Sequence, residues 1–409
     1  MHILQPLRNP VFAGIWVSYS ISVVATAILP TILTLMILDW HNGISDLGVA
    51  LSLRTLGFVV GAVAGGYFAD RLPRQKVLCG ASALRSLSVL AIALFFHDKI
   101  LAISACLFLS GAGEGIFRSA YQATMADVIA SDLRQSANAL TTLSLRIALT
   151  AGPLLAVAMH AGFGAKFGLF AASFFWALSA VIIFSLQRRL ANPVGLAKRE
   201  AKSFVADYRE GLVEALRHRW FIAGLAVLLV WLGLGNSIQQ LMLPIISRSY
   251  FGGDAFIGIA LGAYSIGAVA GGIFVGTFRV SRPGMLAFIG LALFGLVPLS
   301  LYSHSGPLII LSYFLGGAGI ELFNIPWFTA IQNEIPKDML GRVSSIDFLV
   351  SYGAAPLTLA AMPTLLLLIG QGPALLLVGG IVIAVPMLAL LVPGVKELKE
   401  PRSSAVATY

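Results

Sequence analysis

Twelve apolar runs follow one another along the chain, at approximately 11–38, 47–69, 77–96, 101–124, 137–160, 166–187, 220–246, 256–278, 284–303, 307–330, 343–369 and 372–394. A bilayer core about 30 Å thick is crossed by a helix of about 20 such residues. Buried core helices of soluble proteins are rarely so long or so uniformly apolar. The chain is 58% hydrophobic and only 11% charged, where a soluble domain carries about 25% charged residues. No soluble fold hides that much apolar surface, so a water-soluble enzyme or a DNA-binding protein is excluded. The runs also lack the ten-residue alternation of a membrane β-barrel. The first run is too long for the apolar region of a signal peptide and reads as a retained helix.

Charge sets the expected topology. Twenty of the 27 Lys and Arg fall in segments that share one side when both termini are cytoplasmic; only Lys99, Lys166 and Arg248 fall on the other, and four lie within spans. Basic residues collect on the cytoplasmic side of short loops, so the bias orients the chain with both termini inside. The net charge of +9 is thereby explained without nucleic acid. The one long connection, about 188–219, holds eight basic and four acidic residues. Within it, 203–218 places Phe204, Tyr208, Leu212 and Leu216 on one helical face. This face suits a tether on the anionic inner leaflet, with a regulatory docking site as the alternative.

The chain repeats itself. Gly61-Ala62-Val63-Ala64-Gly65-Gly66 returns as Gly267-Ala268-Val269-Ala270-Gly271-Gly272, and Phe108-Leu109-Ser110-Gly111-Ala112-Gly113 returns as Phe314-Leu315-Gly316-Gly317-Ala318-Gly319. Both matches have an offset of 206 residues. Six spans per half give the halves the same orientation, a parallel repeat about the membrane normal. The expected fold is an all-α membrane protein of twelve transmembrane helices in two six-helix pseudo-symmetric halves. The halves are 1–187 and 220–409, with a cytoplasmic linker at 188–219. Transporters built this way bind substrate between the halves near mid-bilayer.

Charge inside a span costs several kcal/mol unless paired or wetted, so it marks function by default. Seven such residues stand out: Arg54, Arg85, Glu114, Arg118, Arg146, Glu321 and Asp347. Glu114 and Arg118 are four apart and share a helix face; they form either a self-neutralising pair or part of a proton-coupling or substrate-binding site. Glu321 sits at nearly the depth of Glu114, one residue off the repeat. Arg54 and Arg146 are candidates for binding an anionic group. Arg85 is expected to snorkel or pack against a loop acid, and Asp347 to cap a helix or pair between the halves. Tyr19, Asn236, Gln239, Gln240, Asn324 and Trp327 are candidate cavity-lining residues.

The segment Gly66-Tyr67-Phe68-Ala69-Asp70-Arg71-Leu72-Pro73-Arg74-Gln75-Lys76 resembles the G-x-L-A-D-R-x-G-R-[KR] loop motif of the major facilitator superfamily, with Gly66, Asp70, Arg71 and Arg74 matching. Leu7-Arg8-Asn9, Ala137-Asn138-Ala139-Leu140 and Tyr208-Arg209-Glu210-Gly211 are similar to the drug and siderophore exporter branch. Gly152-Pro153 resembles the core of that branch's antiporter motif. Leu107 occupies the place of the family's span-four arginine. The resemblance implies that spans one, four, seven and ten line the cavity. It also implies a gating latch, in which Asp70 accepts hydrogen bonds at the start of span eleven and Arg74 pairs with Asp127. Gly152 and Pro153 would form a hinge packed between the halves.

No phosphate-binding or H-E-x-x-H motif is present, and the six His are isolated at loops and span ends. No metal, cofactor or enzymatic activity is expected; energy would come from an ion gradient. Cys79 and Cys106 read as packing residues. The sequence thus points to a secondary transporter in a bacterial inner membrane. It would export a small amphiphilic molecule (drug, siderophore or metabolite) by alternating access in exchange for protons. Membrane lipid is a further partner, and a monomer is compatible with the sequence. A lipid or lysolipid flippase of the same fold and an uptake symporter are the alternatives.

Overall fold

The computed structural model describes residues 2–40, 43–95, 99–129, 133–186, 204–278, 280–336 and 339–399. Among them the chain is helical, without strands. The helices are α1 (Pro10–Trp40), α2 (Ile44–Arg71), α3 (Arg74–Phe95), α4 (Ile100–Val128) and α5 (Arg134–Ser185), then α6 (Phe204–Arg217), α7 (Arg219–Val230), α8 (Asn236–Tyr250), α9 (Ala255–Thr277), α10 (Pro283–Leu293), α11 (Leu296–Ser303), α12 (Gly306–Glu334), α13 (Leu340–Gly353), α14 (Ala355–Ile369) and α15 (Gln371–Ala389). A seven-residue 3₁₀ segment, His2–Arg8, precedes α1.

Eleven described helical segments are long and apolar enough to cross a membrane. The twelfth expected span is hidden in α5, whose 52 residues exceed two bilayer crossings at 1.5 Å per residue. Gly164 interrupts it at φ 77° and ψ 170°, a backbone conformation natural to glycine. That break separates the fifth and sixth spans where the sequence places a short loop.

The helices fall into two compact units, Met1–Lys198 with the short segment Gly253–Gly258, and Arg199–Gly252 with Ile259–Tyr409. In the first unit α1 packs on α5, α2 on α4, and α3 on both α4 and α5. In the second, α10 packs on α12 and α15, and α11 on α15. Helix α6 lies on α13. Its Ala215 is buried, while Leu212 and Leu216 remain exposed as the apolar face expected of a membrane-surface helix. The rest of the expected linker, 188–203, lies outside the described residues.

The glycine motifs make the closest helix contacts. A Cβ on Gly57 or Gly61 would clash with the Phe108 or Ala112 carbonyl oxygen of α4, and one on Gly267 or Gly271 with the Phe314 or Ala318 carbonyl oxygen of α12. Only glycine lets the two backbones meet so closely. These contacts also correct the repeat. Gly267–Phe314 is the counterpart of Gly57–Phe108, and Gly271–Ala318 of Gly61–Ala112. The structural offset is therefore 206 residues along α4 and α12 but 210 along α2 and α9. The recurring Gly-Ala-Val-Ala-Gly-Gly string sits one helical turn out of register with its own structural role.

Candidate functional site

Helix α4 carries two of the intramembrane charges of the first unit, Glu114 and Arg118. Glu114 Oε2 accepts a hydrogen bond from Arg54 Nη2 of α2 at 2.6 Å. The two side chains are 23% and 16% exposed, respectively. The pair thus joins neighbouring helices rather than successive turns of α4: Arg118, the expected partner, is exposed with its guanidinium 6.0 Å from the Phe58 ring. Close packing explains the choice. Gly111 rests on the Arg54 carbonyl and Gly115 on Phe58 and Ala62, so α2 and α4 approach closely enough for the side chains to meet. Glu114 also exerts an electrostatic influence on Arg85 of α3.

Arg85 neither snorkels nor meets a loop acid. It is 1% exposed, with its guanidinium 4.5 Å from the Phe117 ring and 5.2 Å from the Trp176 ring. Nε donates to the Ala81 carbonyl at 3.4 Å and Nη2 to Ser82 Oγ at 3.3 Å. Two aromatic faces and the neighbouring Glu114 make this burial tolerable. In the second unit Gly319 touches Gly290 as Gly113 touches Ala81. Four residues beyond Gly290, where the first unit has Arg85, stands Phe294 against Trp231 at 5.3 Å.

Tyr19 of α1 stacks on Tyr121 of α4 with centroids 4.2 Å apart, and the Tyr121 hydroxyl lies 2.9 Å from Thr141 Oγ1 of α5. Arg118 lies within electrostatic reach of Tyr19. Arg54, Glu114, Arg118 and Tyr19 therefore form one neighbourhood, while Arg146 is exposed on α5. Gly152 packs on Ala27 of α1 inside the first unit, and α5 runs helically through Pro153. Gly152 thus meets α1, and the backbone break in α5 falls at Gly164.

Of the latch residues, Arg74 Nε donates to Asp127 Oδ2 at 3.2 Å, and Arg71 pairs with the Tyr67 hydroxyl and ring. Gly66 is a residue of α2, and the side chain of Asp70 lies outside the described residues. Arg74 and Asp127 are 27% and 54% exposed, and such a pair contributes less than about 1 kcal/mol. Asp127→Asn is accordingly expected to leave thermal unfolding nearly unchanged while slowing transport. A large fall in melting temperature would make the pair a determinant of folding instead.

In the second unit Glu321 of α12 is 7% exposed. Trp327 is buried in an aromatic cluster, stacked on Phe221 at 5.2 Å and edge-on to Trp220 at 5.4 Å. It is a packing residue rather than a cavity wall. Its Nε1 donates to Asp347 Oδ1 at 3.2 Å; Asp347 sits inside α13, so the expected capping role is corrected to a bond between α12 and α13. Asn236, Gln240 and Asn324 are partly buried, and Gln239 is buried beside Tyr313.

Two features escaped the sequence reading. A π turn, Trp231–Gly235, interrupts the seventh span immediately before Asn236; such turns concentrate at functional sites, and the paired glycines of Trp231-Leu232-Gly233-Leu234-Gly235 were the available signal. His160, read as isolated, has Nε2 3.2 Å from Asp39 and 3.6 Å from Asp254. The three residues are far apart in sequence, and no spacing rule brings them together.

The family model described as Major Facilitator Superfamily matches residues 15–359. The chain belongs to the major facilitator superfamily. It is 26% identical over 355 residues to the enterobactin exporter EntS of Citrobacter koseri, covering 83% of this chain and 81% of that protein. The EntS of an Escherichia coli strain is also 26% identical, over 362 residues and with the same coverage. Among solved structures, the POT family transporter PepTSo superposes with a TM-score of 0.77 at 14% identity, covering 94% of this chain and 97% of that one. The nucleoside transporter NupG does so with a TM-score of 0.70 at 11% identity, covering 93% and 98%. These superfamily structures share the fold. The protein is a multi-pass membrane transporter. Its helices bury Arg85 and partly bury Arg54 and Glu114 in the first unit, and bury Glu321 and Asp347 in the second, while Arg118 and Arg146 stay exposed.

Proposed function

We propose that this superfamily member exports a siderophore-sized amphiphile across the bacterial inner membrane by alternating access, in exchange for protons. The observation that carries the reading is the likeness to enterobactin exporters over four-fifths of both chains. The excess of basic residues in one set of loops supports cytoplasmic termini. Glu321 supports proton coupling, because a carboxylate 7% exposed inside a span is costly to keep and is retained for a task. Arg54, Glu114, Arg118 and Arg146 supply charge for substrate or proton in the first unit, with Tyr19, Asn236, Gln239, Gln240 and Asn324 as polar contacts.

Inside-out vesicles containing the protein test this directly. Catecholate siderophores and cationic drugs are expected to accumulate when a proton gradient is imposed. An uncoupler and Glu321→Gln are each expected to lower the initial rate about tenfold or more, equivalent to at least about 1.4 kcal/mol. Accumulation that ignores both would remove antiport and favour a flippase. Substrate leaving the vesicles with protons would favour an uptake symporter.

A further inference from the structure

The end of α4 and the start of α3 carry the Arg74–Asp127 pair in the first unit. The second unit is built differently at the matching corner. The 206-residue offset of α4 and α12 turns Asp127 into Asn333, and the 210-residue offset of α2 and α9 turns Asp70 into Val280. Pro283 opens α10 as Arg74 opens α3. With those charges gone, the corner holds a cavity of about 480 Å³ between the ends of α9 and α12, the start of α10 and the turn after α15.

The cavity has two chemistries. Phe278, Ile325 and Leu398 contribute an apolar wall, and Phe278 and Ile325 are 58% and 37% exposed. Glu334, Glu397 and Lys399 contribute charge, and none makes a side-chain ion pair or hydrogen bond among the described residues. The turn that presents Glu397 and Lys399 is strained: Leu398 holds φ 52°, in the left-handed region. This geometry packs Leu398 into the wall, 1% exposed, and leaves Glu397 and Lys399 exposed on either side. The turn is pinned by the Met285 N–H, which donates to the Lys396 carbonyl at 3.1 Å.

We propose that this cavity binds a membrane phospholipid with a primary ammonium head group, phosphatidylethanolamine being the case tested. The ammonium lies between Glu334 and Glu397, the phosphate meets Lys399, and an acyl chain runs along Phe278 and Ile325 into the bilayer. Two carboxylates beside one amine select a zwitterion over an anionic lipid. An ammonium with three N–H donors makes charge-assisted hydrogen bonds that a trimethylated choline cannot. The site is independent of the transported substrate.

Native mass spectrometry of the full chain, exchanged among detergent micelles holding phosphatidylethanolamine, phosphatidylcholine or phosphatidylglycerol, is the test. Phosphatidylethanolamine is expected to be retained about tenfold better than either other lipid. Glu334→Gln with Glu397→Gln should bring its retention to the phosphatidylcholine level. Lys399→Ala should weaken both zwitterionic lipids together. Glu397→Gln alone, on an exposed turn, keeps the test valid if the double variant fails to fold, and is expected to lose part of the preference. Equal retention of the three lipids, or a preference unchanged in Glu397→Gln, overturns the proposal. So does full displacement by soluble glycerophosphoethanolamine, which would identify a free zwitterion as the ligand.

Discussion

Arg54→Ala is expected to lower folding stability by about 3 kcal/mol and to abolish transport. The reason is asymmetry. Removing one member of a mostly buried pair leaves the other charge without compensation, and such losses cost about 3–5 kcal/mol; the residual exposure of 16% and 23% puts this pair at the lower end. Glu114→Ala strands Arg54 in the same way and also removes a counter-charge from the neighbourhood of Arg85. The exchanged pair, Arg54→Glu with Glu114→Arg, restores charge balance across the α2–α4 seam and is expected to recover most of the stability. Thermal unfolding in lipid nanodiscs measures the first effect and vesicle transport the second. If the exchanged pair is stable but inactive, the pair carries function beyond holding two helices. An Arg54→Ala protein as stable as the parent would show that the salt bridge contributes nothing to folding.

Gly317→Val should be still more damaging. A Cβ at Gly317 would lie far inside van der Waals contact with the Tyr264 carbonyl oxygen, and backbone cannot swing aside as a side chain does. Overpacking a core ordinarily costs about 1–3 kcal/mol; here the two helices themselves must part, and the expected loss exceeds about 3 kcal/mol. The variant should fail to accumulate in the membrane or run as an aggregate by size exclusion. Gly272→Ala provides the contrast. Nothing lies within 4 Å of its added Cβ, and alanine favours a helix interior by about 1 kcal/mol over glycine. That variant is expected to be neutral or slightly more stable. Two substitutions in the same helix pair would then move stability in opposite directions. A monomeric, stable Gly317→Val protein would show that the seam is softer than its geometry.

Much of the fold was legible because bilayer thickness writes itself into run length. Span positions and the break near Gly164 follow from where apolar runs begin and end. The family was legible from a loop whose charges sit at fixed spacing. The site was less so. Glu114 and Arg118 are four apart, and helical periodicity pairs them, but periodicity knows nothing of a second helix one glycine-width away; Arg54 sits there. Arg85 looked peripheral because its compensation comes from the faces of Phe117 and Trp176, which carry no formal charge. Trp327 looked like a cavity aromatic, and only packing shows it closed in against Phe221 and Asp347. Glu321 matched Glu114 in depth, yet one residue around a helix is about 100° of rotation, so equal depth did not mean an equivalent direction.

The mismatch between 206 and 210 residues has a mechanical meaning. Four residues advance a helix by about 6 Å but turn it only about 40° beyond a full revolution. A row of small residues spaced by four therefore meets its partner row almost as well after sliding one notch. This chain contains both settings, one in each unit, built from the same six-letter string. The seam behaves as a vernier with detents about 6 Å apart, and duplicated genes could drift from one detent to the next without passing through an unpacked protein.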